Sequence, residues 1–155
     1  MISPELLRRY PFFGLLSDSQ LKSIAMLSDE VLLQPGETLF KSDEPADALY
    51  FLVEGSVDLH YIVTDRDDPR VYKDFFVGPV NAGEPLGISA LVEPYRYTAT
   101  AVAGAACRLV RIDAAGLRTM CAASAELAAV LMKHTAQAAM SRLHEARVQL
   151  AAARL

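Results

Sequence analysis

The sequence predicts a mainly β domain, an antiparallel β-sandwich or jelly roll with flanking helices and a long C-terminal helix. Three observations predict it. A chain of 155 residues that is 52% hydrophobic is the size of one ordinary domain with its own core. Between about Val31 and Ile112 the apolar residues recur with a period of two, in short runs separated by turn chemistry. From Asp113 onward the chain is rich in Ala, Leu, Met and Arg, residues that lose little freedom on entering a helix. The expected division is N-terminal helices over residues 1–30, a sandwich core over 31–112 and C-terminal helices over 113–155.

The first segment, "SPELLRRYPFFGLLSDSQLKSIAMLSDEV", reads as two helices interrupted between Tyr10 and Gly14 by Pro11 and Gly14. Ser3 can cap the first, with Pro4 at its first helical position. Ser17 precedes an apolar pattern at Leu21, Ile24, Ala25 and Leu27 that suits the second. In the sandwich segment, Pro35-Gly36 fits the central positions of a type II turn. Glu54-Gly55 supplies the positive φ between "LYFLV" and "SVDLHYIV". The polar run "TDRDDPR" at 64–70 reads as a hairpin tip rather than a metal site. In the last segment Ser124 is placed to cap a long helix. Along it Met132, Ala136, Ala139, Leu143, Ala146, Leu150 and Ala153 are separated by alternating steps of four and three. This seam predicts a homodimer through the C-terminal helix, the other reading being a lone amphipathic helix folded back on the sandwich.

Composition excludes several classes of function. A net charge of −4 leaves no basic excess, so DNA binding by this chain alone is not expected. Cys107 and Cys121 have no CxxC spacing and read as small buried hydrophobes. With no signal-peptide pattern and no long apolar run, the expected setting is cytoplasmic, reduced and away from the membrane. An enzyme is not expected either. The only strand histidine is His60, which rules against a cupin metal site. No P-loop or dinucleotide fingerprint occurs, and "GISAL" is not a nucleophile elbow.

The run "QPGETLFKSDEPADALYFLVEGSVDL" resembles the entry of a cyclic-nucleotide-binding domain, as found in bacterial catabolite-activator-type regulators, protein kinase A regulatory subunits and gated channels. Pro35, Gly36, Glu37, Leu39, Phe40, Ala46, Asp47, Leu49, Tyr50 and Gly55 fit that family's pattern. Asp43 stands where the family usually has Gly, and Asp tolerates the left-handed backbone better than most residues. The opening "YPFFGLLSDSQLKSIA" is similar to the family's N-terminal helices.

The resemblance makes residues 83–100, which contain "LGISALVEPYRYTAT", the phosphate-binding cassette. Family members typically read Phe-Gly-Glu-Leu-Ala-Leu, a short loop, then Arg-Thr/Ser-Ala-Thr. There the backbone amides and the Arg hold the cyclic phosphate, and the Glu accepts from the ribose hydroxyl. Here Leu86, Gly87, Ala90 and Leu91 keep the frame, but Ile88 stands in the place of the Glu and Tyr97 in the place of the Arg. Arg96 is one residue early, which on an extended strand points a side chain to the opposite face. Ser89 and Thr98 can donate hydrogen bonds to an anion, or can cap and pair locally. The candidate ligand-binding set is thus Gly87, Ile88, Ser89, Ala90, Arg96, Tyr97 and Thr98, with Tyr95 as a further lining residue.

The resemblance implies a non-catalytic regulatory domain that signals by rearranging its C-terminal helix. The degenerate cassette implies an altered pocket. Alternatives are ordinary binding of cyclic AMP or cyclic GMP, and a ligand-free dimerisation module. Some relatives sense haem, but His134, His144, Met132 and Met140 lie on the helix, where packing or solvation explains them. No cofactor is expected beyond a cyclic nucleotide or another small ligand. In catabolite-activator relatives the long helix leads into a DNA-reading segment. Its absence before Leu155 leaves a stand-alone sensor or a portion of a longer regulator as the two expectations.

Overall fold

The computed structural model describes residues 1–154. Helix α1 spans Pro4–Arg8, with Ser3 Oγ accepting from the Glu5 amide. A 3-10 turn follows at Pro11–Phe13, then α2 at Asp18–Met26. Helix α2 opens with a capping box in which Ser17 and Gln20 exchange side-chain to backbone hydrogen bonds, satisfying two amides that the first turn leaves free. The strands begin at Ser28, slightly earlier than the change in hydrophobic period at Val31. Ser28 is buried and its hydroxyl donates to the Ile24 carbonyl at the end of α2, while Asp29 and Glu30 face solvent and hide the alternation.

Among the described residues eight strands form two four-stranded sheets, and every pairing between them is antiparallel. They are β1 Ser28–Leu33, β2 Thr38–Phe40, β3 Ala48–Glu54, β4 Val57–Thr64, β5 Tyr72–Val80, β6 Pro85–Leu86, β7 Thr100–Ala103 and β8 Cys107–Asp113. One sheet runs β1-β8-β3-β6 and the other β2-β7-β4-β5, the two-sheet arrangement of a jelly roll. The turns follow their chemistry. Glu37 N donates to Gln34 O across Pro35-Gly36, and Asp43 adopts φ 71°. Gly55, at φ 95°, passes so close to the β7–β8 connection that a Cβ would lie 2.4 Å from the Ala106 carbonyl oxygen. The polar run after β4 is the hairpin tip, closed by Asp65 N to Val71 O at 2.8 Å.

Strand β3 is apolar without alternation because both of its faces are covered. Its inner side chains meet the second sheet. On the outer face Phe51 is wholly buried beneath Tyr10, Phe12 and Phe13, at ring separations of 5.3, 5.2 and 4.9 Å. The N-terminal segment thus closes the first sheet, each aromatic pair adding about 0.5–1.5 kcal/mol beyond burial of its area. Cys107 is buried and Cys121 half-buried, and burial pushes both thiols up, away from reactive thiolate.

After β8 come α3, Ala114–Ala123, and α4, Ala125–Ala153. Ser124 caps α4 by accepting from the Leu127 amide. Helix α4 buries Leu127, Leu131 and Thr135, then passes over the cassette turn and β5. Thr135 Oγ1 has no hydrogen-bond partner among the described residues. Beyond that stretch the large apolar side chains Met140, Leu143, Val148 and Leu150 are at least half exposed. Among the described residues no helix is long and apolar enough to cross a membrane, and no cluster of His, Cys, Asp or Glu could hold a metal ion.

Candidate functional site

The cassette begins with Gly87 in the left-handed conformation, φ 74°, leading from β6 into a 3-10 turn at Ile88–Leu91. Glycine is required there twice over. The positive φ strains any side chain, and a Cβ would come within 3.0 Å of Tyr97 Cε1 and 3.3 Å of the Ala48 carbonyl oxygen. Below the turn, the strand leading into β7 pairs with the turn before β3. Asp43 N donates to Tyr97 O, Tyr97 N to Glu44 O and Ala46 N to Tyr95 O, at 2.8–3.0 Å. This pairing sets the register and, with a period of two, decides which side chains face inward.

Tyr97 faces in. It is only 5% exposed, stacks on Phe40 with ring centroids 3.9 Å apart at 12°, and closes against Gly87. Its hydroxyl donates to the Ala48 carbonyl at 2.7 Å and accepts from the Ala48 amide at 3.2 Å. Burial raises its pKa from 10.0 to about 12, and the hydrogen bond to Ala48 is too weak to reverse this. Arg96, one residue earlier, faces solvent, and its guanidinium donates to the Asp43 carbonyl at 2.6 Å.

Between the cassette and α4 lies a cavity of about 390 Å³. Of the candidate residues, Gly87, Ile88, Ser89, Tyr97 and Thr98 line it. Ala90 is buried behind the wall, and Arg96 is not among the lining residues. Tyr95 is not either. It adopts φ 58° and lies beneath the Arg118 guanidinium, 3.8 Å from its ring centroid. The other walls are Phe40, Leu59, Tyr61, Val77 and Leu86 from the sheets, with Ala139, Leu143 and Ala146 from α4. Three of the seven seam residues therefore roof the cavity, while Met132, Ala136, Leu150 and Ala153 face solvent.

Two arginines organise this region. Arg118, on α3, donates to the carbonyls of Ala90 at 2.7 Å and Ala46 at 2.8 Å, tying the cassette turn to the turn before β3. Arg142, on α4, lines the cavity and donates to Glu84 Oε2 at 3.2 Å, Glu145 Oε2 at 3.3 Å and the Pro85 carbonyl at 2.8 Å. Neither is recognisable from the sequence, because all their partners but Glu145 are distant in the chain. The Arg142–Glu145 spacing is a signal in itself, but one shared with any solvated helix face.

His60 and His134 are accounted for structurally. His60 Nδ1 pairs with Asp74 Oδ1 across the β4–β5 hairpin at 2.8 Å, and His134 Nδ1–H donates to the Phe12 carbonyl at 2.7 Å.

The Tyr97 geometry predicts a pH signature. A folded-state pKa above the unfolded value of 10.0 means that the folded chain holds the proton longer, so stability is intact below pH 10.0 and falls as pH rises toward about 12. Tyr97→Phe leaves the Ala48 amide and carbonyl without this partner and should cost about 1–3 kcal/mol in urea unfolding at neutral pH. It should also remove the Tyr97 share of the alkaline loss. An unchanged slope between pH 10 and 12 would contradict the buried, bonded hydroxyl.

The comparisons with known proteins agree with this architecture. The Cyclic nucleotide-binding domain family matches residues 30–124. A solved chain from Geobacter metallireducens GS-15, named as a cyclic nucleotide-binding protein, is 41% identical with a TM-score of 0.80, covering 93% of this chain and 100% of its own. The N-terminal domain of a transcriptional regulator from Streptomyces coelicolor A3(2) is 31% identical with a TM-score of 0.63, covering 90% and 93%. A protein of Rhodopseudomonas palustris named as a potassium channel is 27% identical over 128 residues, which are 83% of this chain and 29% of that relative's length. With the two-sheet core, the cassette turn and the long C-terminal helix, these matches show that the chain belongs to the cyclic nucleotide-binding domain family.

Proposed function

We propose that this domain is a non-catalytic sensor whose pocket has been altered away from the cyclic phosphate. In this reading it reports occupancy of the pocket through α4, paired with α4 of a second copy. The observation that carries the reading is Tyr97. It occupies the position of the family's phosphate-binding Arg, fills the hollow beside Gly87 and is held there by Phe40 and Ala48. A cyclic phosphate arriving at Gly87 would meet a neutral aromatic edge instead of a guanidinium, and Ile88 offers the ribose no acceptor.

The remaining space favours a sensor over a filled, ligand-free module. About 390 Å³ lies within the range that encloses small organic ligands. Because α4 forms the roof, a ligand touching Ala139 or Leu143 changes the helix packing directly. The exposed apolar row on the same helix supports pairing with a second copy. Met132 is 37% exposed, Leu143 50% and Leu150 55%, and the seam's small alanines let two helices approach closely.

Two measurements test these parts separately. Losing two charge-assisted hydrogen bonds weakens binding by roughly two to four orders of magnitude. Calorimetric titration with cyclic AMP and cyclic GMP should therefore give dissociation constants no tighter than about 1 mM, and a value below about 100 μM would overturn the altered pocket. In sedimentation at micromolar concentration the protein should be a dimer, and Leu150→Glu should shift it to monomer. A wild-type monomer would remove the helix-pairing part of the proposal.

A further inference from the structure

The cavity is apolar on nearly every side and carries a single charge. Among its lining residues only Arg142 is ionised, while Leu59, Val77, Leu86, Ile88 and Leu143 make the walls. The Arg142 side chain is 22% exposed and is held by the three bonds to Glu84, Glu145 and Pro85. Those bonds use both hydrogens of Nη1 and one of Nη2. Nε–H and the second Nη2–H have no partner among the described residues, although a guanidinium carries five donors. A smaller cavity of about 270 Å³ also touches Arg142, so the guanidinium stands as a partition with open space on two sides.

From this juxtaposition we infer that the ligand of the larger cavity is an amphipathic monoanion, an apolar body bearing one carboxylate, and that Arg142 is the residue that binds the carboxylate. The inference rests on the altered-sensor reading above and specifies the chemistry of that same site. Carboxylate fits guanidinium by two parallel N–H···O bonds, and the apolar walls would leave any second charge on the ligand desolvated and unpaired.

The acidic partners give the site a built-in competition. Glu84 and Glu145 together outnumber the one cation, so both repel an arriving carboxylate and compete with it for the Arg142 charge, even though two of its donors have no partner among the described residues. Glu84 can give way, because its other oxygen already accepts from the Asn81 amide at 3.1 Å. Its release would also loosen one tie between α4 and the turn before β6.

The test compares decanoate with decan-1-ol by calorimetric titration of the intact protein. Decanoate should bind at least about tenfold more tightly than the alcohol, the margin expected of a charge-assisted pair. Arg142→Gln should erase that difference while leaving decan-1-ol affinity in place, which shows the variant to be folded. Glu84→Gln should tighten decanoate several-fold by removing its competitor. Equal wild-type affinities, or a preference for decanoate that survives Arg142→Gln, would overturn the carboxylate assignment while leaving a sensor of neutral ligands intact. If neither compound bound up to its solubility limit, the assignment and the sensor reading would both fall.

Discussion

The double hydrogen bond between the Tyr97 hydroxyl and the Ala48 backbone is the constraint around which the rest of the pocket is arranged. It joins the strand entering β7 to the first residue of β3, and so links the two sheets at the point where the cassette turn lies over them. Because Tyr97 must point inward to make it, Arg96 must point outward, where the Asp43 carbonyl receives its guanidinium. The stack on Phe40 and the contact with Gly87 follow from the same orientation. One side chain therefore ties the two sheets together and fills the hollow beside Gly87, and in the proposed reading it stands where the family's phosphate-binding charge would be.

Helix α4 is docked by a different kind of force from the sheets. Its first half is sealed by Leu127 and Leu131 and by the His134 contact with Phe12. Next to these, Thr135 buries a hydroxyl that has no partner among the described residues, which costs stability unless it can be relieved. Its second half rests on the cavity and on the polar ties of Arg142 rather than on a continuous core. Such an element has a weak hold over the cavity and a strong one at its base, and the proposed sensor uses the weakly held half as its lever. Arg118 performs the complementary task. By bonding Ala90 and Ala46 and covering Tyr95, it ties the cassette turn to the turn before β3, the fixed frame that the proposed lever needs.

Much of the fold was legible because local chemistry determines it. Ser17 with Gln20, Ser124, Pro35-Gly36, Asp43 and Glu54-Gly55 each solve a backbone problem within a few residues, and the structure uses each for that purpose. The frame of the cassette was legible for the same reason, since Gly87 alone satisfies that φ and that close approach. What was hidden depends on contacts across the chain. Arg142 meets Glu84 58 residues away, and nothing near it in sequence marks it apart from a solvated helix charge. The docked face of α4 was equally hidden. The stripe Leu131, Thr135, Ala138 and Arg142 lies one residue from the predicted seam Met132, Ala136, Ala139 and Leu143. In so Ala-rich a helix either stripe can face a neighbour.

The central claim is that this chain keeps the family's frame and that two side chains, Ile88 and Tyr97, decide what the frame can bind. The most direct test is calorimetric titration of cyclic AMP into the double variant Ile88→Glu/Tyr97→Arg beside the wild type. The account predicts that the double variant gains affinity by roughly two to four orders of magnitude over a wild type that binds at about 1 mM or weaker. A folded double variant with no gain would contradict it, for the frame itself would then be unfit for a cyclic phosphate.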